Sequence, residues 1–280
     1  MTIGRIGFAY NPTIPGATEL RERAAGWCRI RSLEEWAAPA GDLAALLRGL
    51  PGTDVLVVLG GDGTFLRAAQ AVAEIDVPLL GVNLGKVGFL SKAEAHELEP
   101  VLEQLVAGEY AIGERMGLSA AILPGGKPAP ATFTALNDVV VARGALARVV
   151  RLDVTIDESH LATFVADGLV VASPTGSTGY SFSAGGPILD PQSRNLVVTP
   201  IAGYLSAIRS IVVSPLQVVR CRVVDAHEAL VSIDGREDRE VQVGDVVEVR
   251  ALERPIRIVE PKGALPFWDL LRTKVELLPS

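Results

Sequence analysis

Over roughly the first hundred residues, short unbroken apolar runs alternate with segments whose apolar positions recur at helical spacing. IGRIGFAY, DVLVVLG and VPLLGVN read as buried strands, because continuous Val/Leu/Ile runs suit strands covered on both faces. Between and after them lie three helix candidates. AGDLAALLRGLPG places Leu43, Leu46, Leu47 and Leu50 on one face and ends on Gly and Pro, TFLRAAQAVAEI follows a glycine turn, and HELEPVLEQLVAG closes the region. Strands alternating with helices predict a parallel, doubly wound sheet, hence an α/β N-terminal domain. After about Tyr110 the pattern changes to β-rich segments joined by Gly, Pro and Asp turns, among them ATFTALNDVVVARG, HLATFVADGLVVAS, NLVVTPI and EALVSIDG. That texture predicts a mostly-β C-terminal domain. The last segment, ALPFWDLLRTKVELL, is helical again, with Phe267, Leu270, Leu271 and Lys274 at helical spacing. We expect one domain over 1–108, with 259–280 packing back onto it as a C-terminal helix, and a second over 109–258.

Composition narrows the classes of function. The 280 residues are 49% hydrophobic with no long Ser, Gln or Pro tract, so the chain folds rather than staying disordered. Its 33 acidic and 26 basic side chains give a net charge of -7, and nothing draws the whole molecule to nucleic acid or anionic lipid. Any phosphate chemistry must be local. Cys28 and Cys221 are too few for a disulfide framework and too far apart for a zinc pattern, which points to two inert thiols in a reducing interior. MTIGRIGFAYNP runs straight into a strand-like pattern with no charged-then-apolar leader, and no apolar run approaches the roughly 20 residues of a membrane span. The expected location is cytoplasmic.

The chemistry concentrates at DVLVVLGGDGTFLRAAQ, residues 54–70. A helix start preceded by glycines is an anion site, since unpaired backbone N–H groups point outward and the helix dipole adds about half a positive charge. Gly60, Gly61 and Gly63 let backbone approach a phosphate closely, and Thr64 is placed to cap the helix. Asp62 is the anomaly. A bare carboxylate repels phosphate, so it makes sense only with a cation between them or facing the hydroxyl that will attack, and both options are phosphoryl transfer.

Competing motifs fail on spacing. GVNLGKVG has three residues between Gly81 and Gly85 and no Ser or Thr after Lys86, so it is not a Walker A loop. The dinucleotide fingerprint breaks at Leu66, where its third glycine should stand. PTGSTG has Thr175 two residues before Ser177 and so lacks the nucleophile elbow of serine hydrolases. His96, His160 and His227 are scattered and read as surface residues. The second dense segment, VADGLVVASPTGSTGYSFSAGGPI, supplies neutral hydroxyls from Ser173, Thr175, Ser177, Thr178, Ser181 and Ser183 that could line a nucleotide without adding charge. Tyr180 offers a ring for contact with a base.

Taken together, LGGDGTFLRAAQ, LLGVNLGKVGFL, LNDVVV, ADGLVVASPTGSTGYSFSAGGPI, VVTPIAGYLSAIRSIVVSP, SIDGRED and FWDLLRTKVEL resemble the bacterial NAD kinases, in order and over nearly the whole chain. GGDGT alone is shared with lipid kinases and phosphofructokinases; PTGSTGYSFSAGGP separates this family from those. The resemblance implies transfer of the terminal phosphoryl group of ATP or polyphosphate to the 2′-hydroxyl of the adenosine ribose of NAD, with Mg2+ or another divalent cation held mainly by the donor phosphates. It assigns the donor to the first domain and the dinucleotide to the second. Asp62 would be the catalytic carboxylate, accepting the 2′-hydroxyl proton or organising metal and phosphate, with Gly61, Gly63 and Thr64 at the phosphates. Asn137 and Asp138 would hold the adenosine ribose and base. Asp167 would contact the nicotinamide half, from the same or a neighbouring subunit, while Thr178, Gly179, Tyr180 and Ser183 would line the dinucleotide. Asp234 aligns with a further family site residue, yet Asp-Gly is also a strong hairpin-turn signal. Family members are usually homodimers or homotetramers. Asp138 stands where the family usually has Glu, Gly179 replaces a common Ala, and Gly203, Tyr204 and Ser210 depart from the usual substrate-loop pattern. Two other classes stay open on the sequence: a lipid or sugar kinase sharing the glycine-aspartate turn, and a non-catalytic sensor of NAD or NADP.

Overall fold

The computed structural model describes residues 3–85, 88–127, 132–144, 148–204 and 208–276. The chain forms two compact units, Met1–Glu114 together with Ile256–Ser280, and Arg115–Pro255.

The first unit begins with β1 (Arg5–Tyr10), α1 (Ala17–Ile30), β2 (Glu34–Pro39), α2 (Leu43–Gly49) and β3 (Val55–Leu59). It continues through α3 (Asp62–Glu74), β4 (Leu79–Asn83), the two-residue β5 (Ala93–Glu94), α4 (Leu98–Ala107) and β6 (Tyr110–Arg115). Strands β2, β1, β3 and β4 lie side by side and run parallel. Every residue of β3 and β4 is buried, as their unbroken apolar runs require. The chain passes from β1 out to β2 and then back across to β3, so the winding reverses between β1 and β3. In open α/β sheets ligands bind outside the carboxyl ends of the strands at such a reversal. The GGDGT turn follows the carboxyl end of β3 directly. Two elements here carry no strong pattern in the sequence. In α1 the buried set is Ala17, Leu20, Ala24, Ala25, Trp27 and Cys28, largely small side chains. In β2 the segment EEWAAP earns its place through Trp36, whose ring lies where a Cβ on Gly7 would stand 2.6 Å away and whose Nε1 donates to Thr53 Oγ1 at 2.8 Å.

The second unit contains β7 (Leu118–Leu123), β8 (Thr132–Ala135), β9 (Asp138–Arg143), β10 (Val150–Ile156), β11 (Ser159–Ala166) and β12 (Gly168–Ala172). The one-turn α5 (Tyr180–Ser183) follows, then β13 (Leu196–Ile201), β14 (Ile211–Val213), β15 (Val219–Asp225), β16 (Ala229–Ile233), β17 (Glu237–Val241) and β18 (Val246–Ala251). Two six-stranded antiparallel sheets result, β11-β10-β15-β18-β7-β8 and β14-β13-β12-β9-β16-β17. Their facing sides share one core, to which β9 gives Val139 and Val141, β12 gives Leu169 and Val171, and the other sheet gives Leu152, Val154, Val223 and Val249. With a side-chain period of two, Val140 and Val170 must face the other way. They do, forming with Ala172 a separate apolar patch on the outer side of the second sheet.

The chain then returns to the first sheet. Strand β19 (Ile256–Pro261) lies between β4 and β6 and runs parallel to β4, with Ile258 opposite Leu79. Helix α6 (Phe267–Glu276) packs on the first unit, burying Leu270 and bringing the Phe267 ring to 6.1 Å from that of Phe89. No helix among the described residues is long and apolar enough to cross a membrane.

Candidate active site

The buried run of β3 ends at Leu59 and hands over to α3 through two glycines. Gly60 has no room for a side chain, because a Cβ there would lie 2.4 Å from Thr64 Oγ1. Gly61 is the N-cap residue in extended conformation, and it makes no side-chain cap, so the expected cap by Thr64 is not formed. Thr64 sits inside the first turn, 3% exposed, with its hydroxyl against Gly60; a hydroxyl can cap only from the residue preceding the helix. Among the described residues, a Cβ built on Gly61 or Gly63 would meet nothing within 4 Å.

Asp62 is the first residue of α3 and half-buried. Its carboxylate accepts hydrogen bonds from the backbone N–H of Phe89 at 3.1 Å and of Leu90 at 3.4 Å. A Cβ on Gly88 would lie 2.0 Å from Asp62 Oδ1, so only glycine lets this second loop close on the carboxylate. The sequence carries no local sign of this role for the last glycine of GVNLGKVG, since any residue but proline can donate a backbone amide. Lys86 lies outside the described residues.

A second constellation lies on the outer face of the second unit's sheet, in a pocket of ≈ 350 Å³. Val140, Ala142 and Leu230 give it an apolar floor, Asn137, Asp138 and Asp234 a polar end, and Gly179 with Tyr180 a wall. Tyr180 is 47% exposed, its ring free to meet a ligand. Asp138 is 5% exposed, and burial, reinforced by the negative charge of Asp234, pushes its carboxyl up to about 7. Burial raises Asp234 as well, against the lowering effect of the backbone amides and the Arg236 guanidinium that surround it.

Asp234 belongs to a hairpin turn and also lines the pocket. Arg236 N donates to Ile233 O at 3.2 Å, closing a turn in which Asp234 (φ 52°) and Gly235 (φ 66°) both take positive φ, the I′ geometry that Asp-Gly favours. The same residue lines the pocket, but its carboxylate is turned to backbone. It accepts from Leu136 N at 3.0 Å, Asn137 N at 2.7 Å and Asp138 N at 3.3 Å.

The glycine- and hydroxyl-rich loop behaves differently from the sequence expectation. Ser173 Oγ donates to Leu136 O at 2.5 Å, Ser177 Oγ to Pro174 O at 2.6 Å and Thr178 Oγ1 to Thr175 O at 3.3 Å, while Ser181 Oγ lies 3.4 Å from Thr199 Oγ1. Those hydroxyls are taken by protein partners: Ser177 and Thr178 bond carbonyls of the loop itself, while Ser173 and Ser181 tie it to the residue before Asn137 and to β13. Thr175 Oγ1 is buried with no hydrogen-bond partner among the described residues. Ser183 is exposed, and neither it nor Thr178 is part of the pocket lining. Gly179 is tight on one side: a Cβ there would lie 3.2 Å from Gly176 O and 3.7 Å from Asp138 Oδ2. Asp167 is engaged by a residue the sequence reading did not single out. Arg143 Nε donates to its Oδ1 at 2.7 Å and Nη2 to its Oδ2 at 3.3 Å, and Arg143 also lines the pocket. Of the departures from the family pattern, Ser210 Oγ lies 3.1 Å from Thr199 Oγ1, and Gly203 and Tyr204 are exposed; residues 205–207 of the same segment lie outside the described ones.

Asn137, Asp138, Gly179, Tyr180 and Asp234 thus meet in one pocket, with Asp167 tied to its lining through Arg143. Gly61, Asp62, Gly63 and Thr64 form a separate site in the first unit. The histidines are exposed, and no group of three or more His, Cys, Asp or Glu side chains among the described residues could hold a metal ion.

Two family models match the chain: one described as "ATP-NAD kinase N-terminal domain" over residues 6–110 and one described as "ATP-NAD kinase C-terminal domain" over 136–261. The chain is 39% identical to the NAD kinase of Syntrophotalea carbinolica over 280 residues, covering 97% of this chain and 98% of that protein. It is also 39% identical to the NAD kinase of Heliobacterium modesticaldum over 282 residues, again covering 97% and 98%. Among solved structures, yeast NADH kinase complexed with NADH superposes with a TM-score of 0.86 at 22% identity, covering 100% of this chain and 89% of that one. An NAD kinase from Archaeoglobus fulgidus in complex with ATP superposes with a TM-score of 0.79 at 24% identity, covering 98% and 100%.

Proposed function

The chain belongs to the NAD kinase family, and from that premise we propose which residues carry the transfer of the terminal phosphoryl group of ATP to the 2′-hydroxyl of the adenosine ribose of NAD. The observation that carries the proposal is the placement of Asp62: a carboxylate fixed by two backbone amides at the mouth of a helix whose glycines leave space for phosphate among the described residues. Gly61 and Gly63 offer backbone N–H groups to the donor phosphates, and Thr64 packs beneath them to hold the turn. An ionised carboxylate has about four lone-pair positions. Asp62 keeps enough of them, after its two amide bonds, to take the proton of the ribose hydroxyl. A bond forms from the 2′-oxygen to phosphorus as the bond from phosphorus to the β,γ-bridging oxygen breaks, ADP leaves with that electron pair, and the proton passes to Asp62.

In the second unit the adenosine of NAD fits the pocket, its base over the apolar floor beside Tyr180 and its ribose at Asn137 and Asp138. Asp167 with Arg143, Gly179, Thr178 and Ser183 serve the remainder of the dinucleotide. A magnesium ion is compatible with this donor set in one way only: Asp62 supplies a single carboxylate, so the ion would be held mainly by the donor phosphates, whose charge it would neutralise. The domain roles follow, the first unit taking the donor and the second the dinucleotide. A homodimer or homotetramer is part of the proposal, since the short edge strand β14 exposes Val212 and is followed by the exposed Leu216. A cytoplasmic location suits the two buried free thiols, which burial pushes up to about 11 for Cys28 and about 12 for Cys221.

The test is incubation with NAD, ATP and magnesium, coupled to an NADP-specific dehydrogenase, omitting each component in turn. Signal is expected only with all three. Equal signal with ATP replaced by polyphosphate would change the donor, and signal without a divalent ion would remove the metal.

A further inference from the structure

Asp234 entered as a residue expected to touch the dinucleotide, yet the geometry gives its carboxylate another task. Its two oxygens receive three consecutive backbone amides, those of Leu136, Asn137 and Asp138, and Arg236 Nη2 reaches Oδ2 at 3.4 Å. Its side chain is 0% exposed. The bond is returned: Asp234 N donates to Asp138 O at 3.0 Å. Asn137 is held from the opposite side too, where Ser173 N donates to its carbonyl at 2.8 Å and a Cβ on Gly176 would lie 2.0 Å from that same oxygen. The start of β9 is therefore clamped between the β16–β17 turn and the loop after β12.

A carboxylate whose oxygens are taken by amides and which is shut off from solvent has little left to offer a ligand, whereas three charge-assisted bonds to one stretch of backbone fix that stretch strongly. We propose that Asp234 is a positioning residue for acceptor binding: it does not meet the dinucleotide, and instead fixes the 136–138 backbone so that Asn137 and Asp138 present their side chains to the adenosine ribose. This rests on the assignment of Asn137 and Asp138 to the acceptor. Its αL backbone explains why the residue is an aspartate, since Asp tolerates positive φ and its short side chain reaches back to the amides of the neighbouring strand.

Steady-state kinetics on Asp234→Ala and Asp234→Asn test it, with Asn137→Ala as reference. In Asp234→Ala the KM for NAD should rise about tenfold or more, from the loss of buried charge-assisted bonds, with the KM for ATP unchanged. Asp234→Asn, which keeps one acceptor oxygen, should recover part of that loss. A tenfold or greater fall in kcat with both KM values intact would place Asp234 in the chemistry and overturn the proposal, as would an unchanged KM for NAD in Asp234→Ala while Asn137→Ala raises it. If Asn137→Ala also leaves the KM for NAD unchanged, it is the acceptor assignment that fails. Should the variants not fold, amide exchange of residues 136–138 in the wild-type protein decides. Protection already complete without NAD is the expected result; protection acquired only on adding NAD would contradict it.

Discussion

Asp138 shows how burial and a charged neighbour set a residue's chemistry. It sits nearly buried at the polar end of the pocket, faced by Asp234 from the β16–β17 turn, by Arg236 behind that turn, by Tyr180 from α5 and by Arg143 further along the lining. Its carboxyl is raised to about 7 from an ordinary 3.8, first by burial and then by the charge of Asp234. Between those two values the folded protein binds more protons than the unfolded chain, so this group's contribution to stability is full below about 3.8 and is lost as pH rises through about 7. Urea unfolding at pH 5 and pH 8 should therefore show Asp138→Asn gaining on wild type at the higher pH; parallel behaviour of the two would contradict the assignment. The residue scale is also where the sequence was least informative. It marked Asp62, Asn137, Asp138 and Asp234 by motif, but not that Gly88 must be glycine to admit the Asp62 carboxylate, nor that Arg143 holds Asp167. Both depend on residues distant in the chain, and no local pattern encodes them.

Secondary-structure elements were legible where burial is two-sided or where one apolar face repeats at regular spacing, and illegible where neither holds. The runs VLVVL and LLGVN announce β3 and β4 because both faces are covered. Strand β2 offers one large apolar residue, Trp36, and the buried set of α1 is largely small side chains, so neither has the contrast on which periodicity depends. In α2 only part of the expected apolar face is inside: Leu46 and Leu50 are fully buried while Leu43 is 40% exposed. What fixes the start of that short helix is its cap, with Asp42 Oδ1 accepting from Ala45 N at 2.9 Å. Asp42→Ala should cost about 1 kcal/mol in chemical denaturation and leave kinetic constants alone. An unchanged midpoint would mean that tertiary packing, not the cap, sets the helix start. Strand β19 could not be placed from sequence, since a segment following the whole second unit gives no local sign that it pairs with β4.

At the scale of the whole molecule, the sequence conveyed the two textures, an α/β unit and a β unit, and the structure adds why the site residues fall where they do. The glycine-aspartate turn lies at the carboxyl end of β3, where the winding of the first sheet reverses. The pocket lies on the outer face of the second sheet, where β9 and β12 turn Val140 and Val170 away from the shared core. The proposed division of labour is that Asp62 performs the transfer and the pocket of the second unit binds NAD. The most direct measurement is to compare Asp62→Asn with wild type, taking turnover from the coupled assay and NAD affinity from calorimetry on the same preparations. The account predicts turnover lower by about three orders of magnitude or more with the NAD dissociation constant within about threefold of wild type. Near-normal turnover in Asp62→Asn would contradict it.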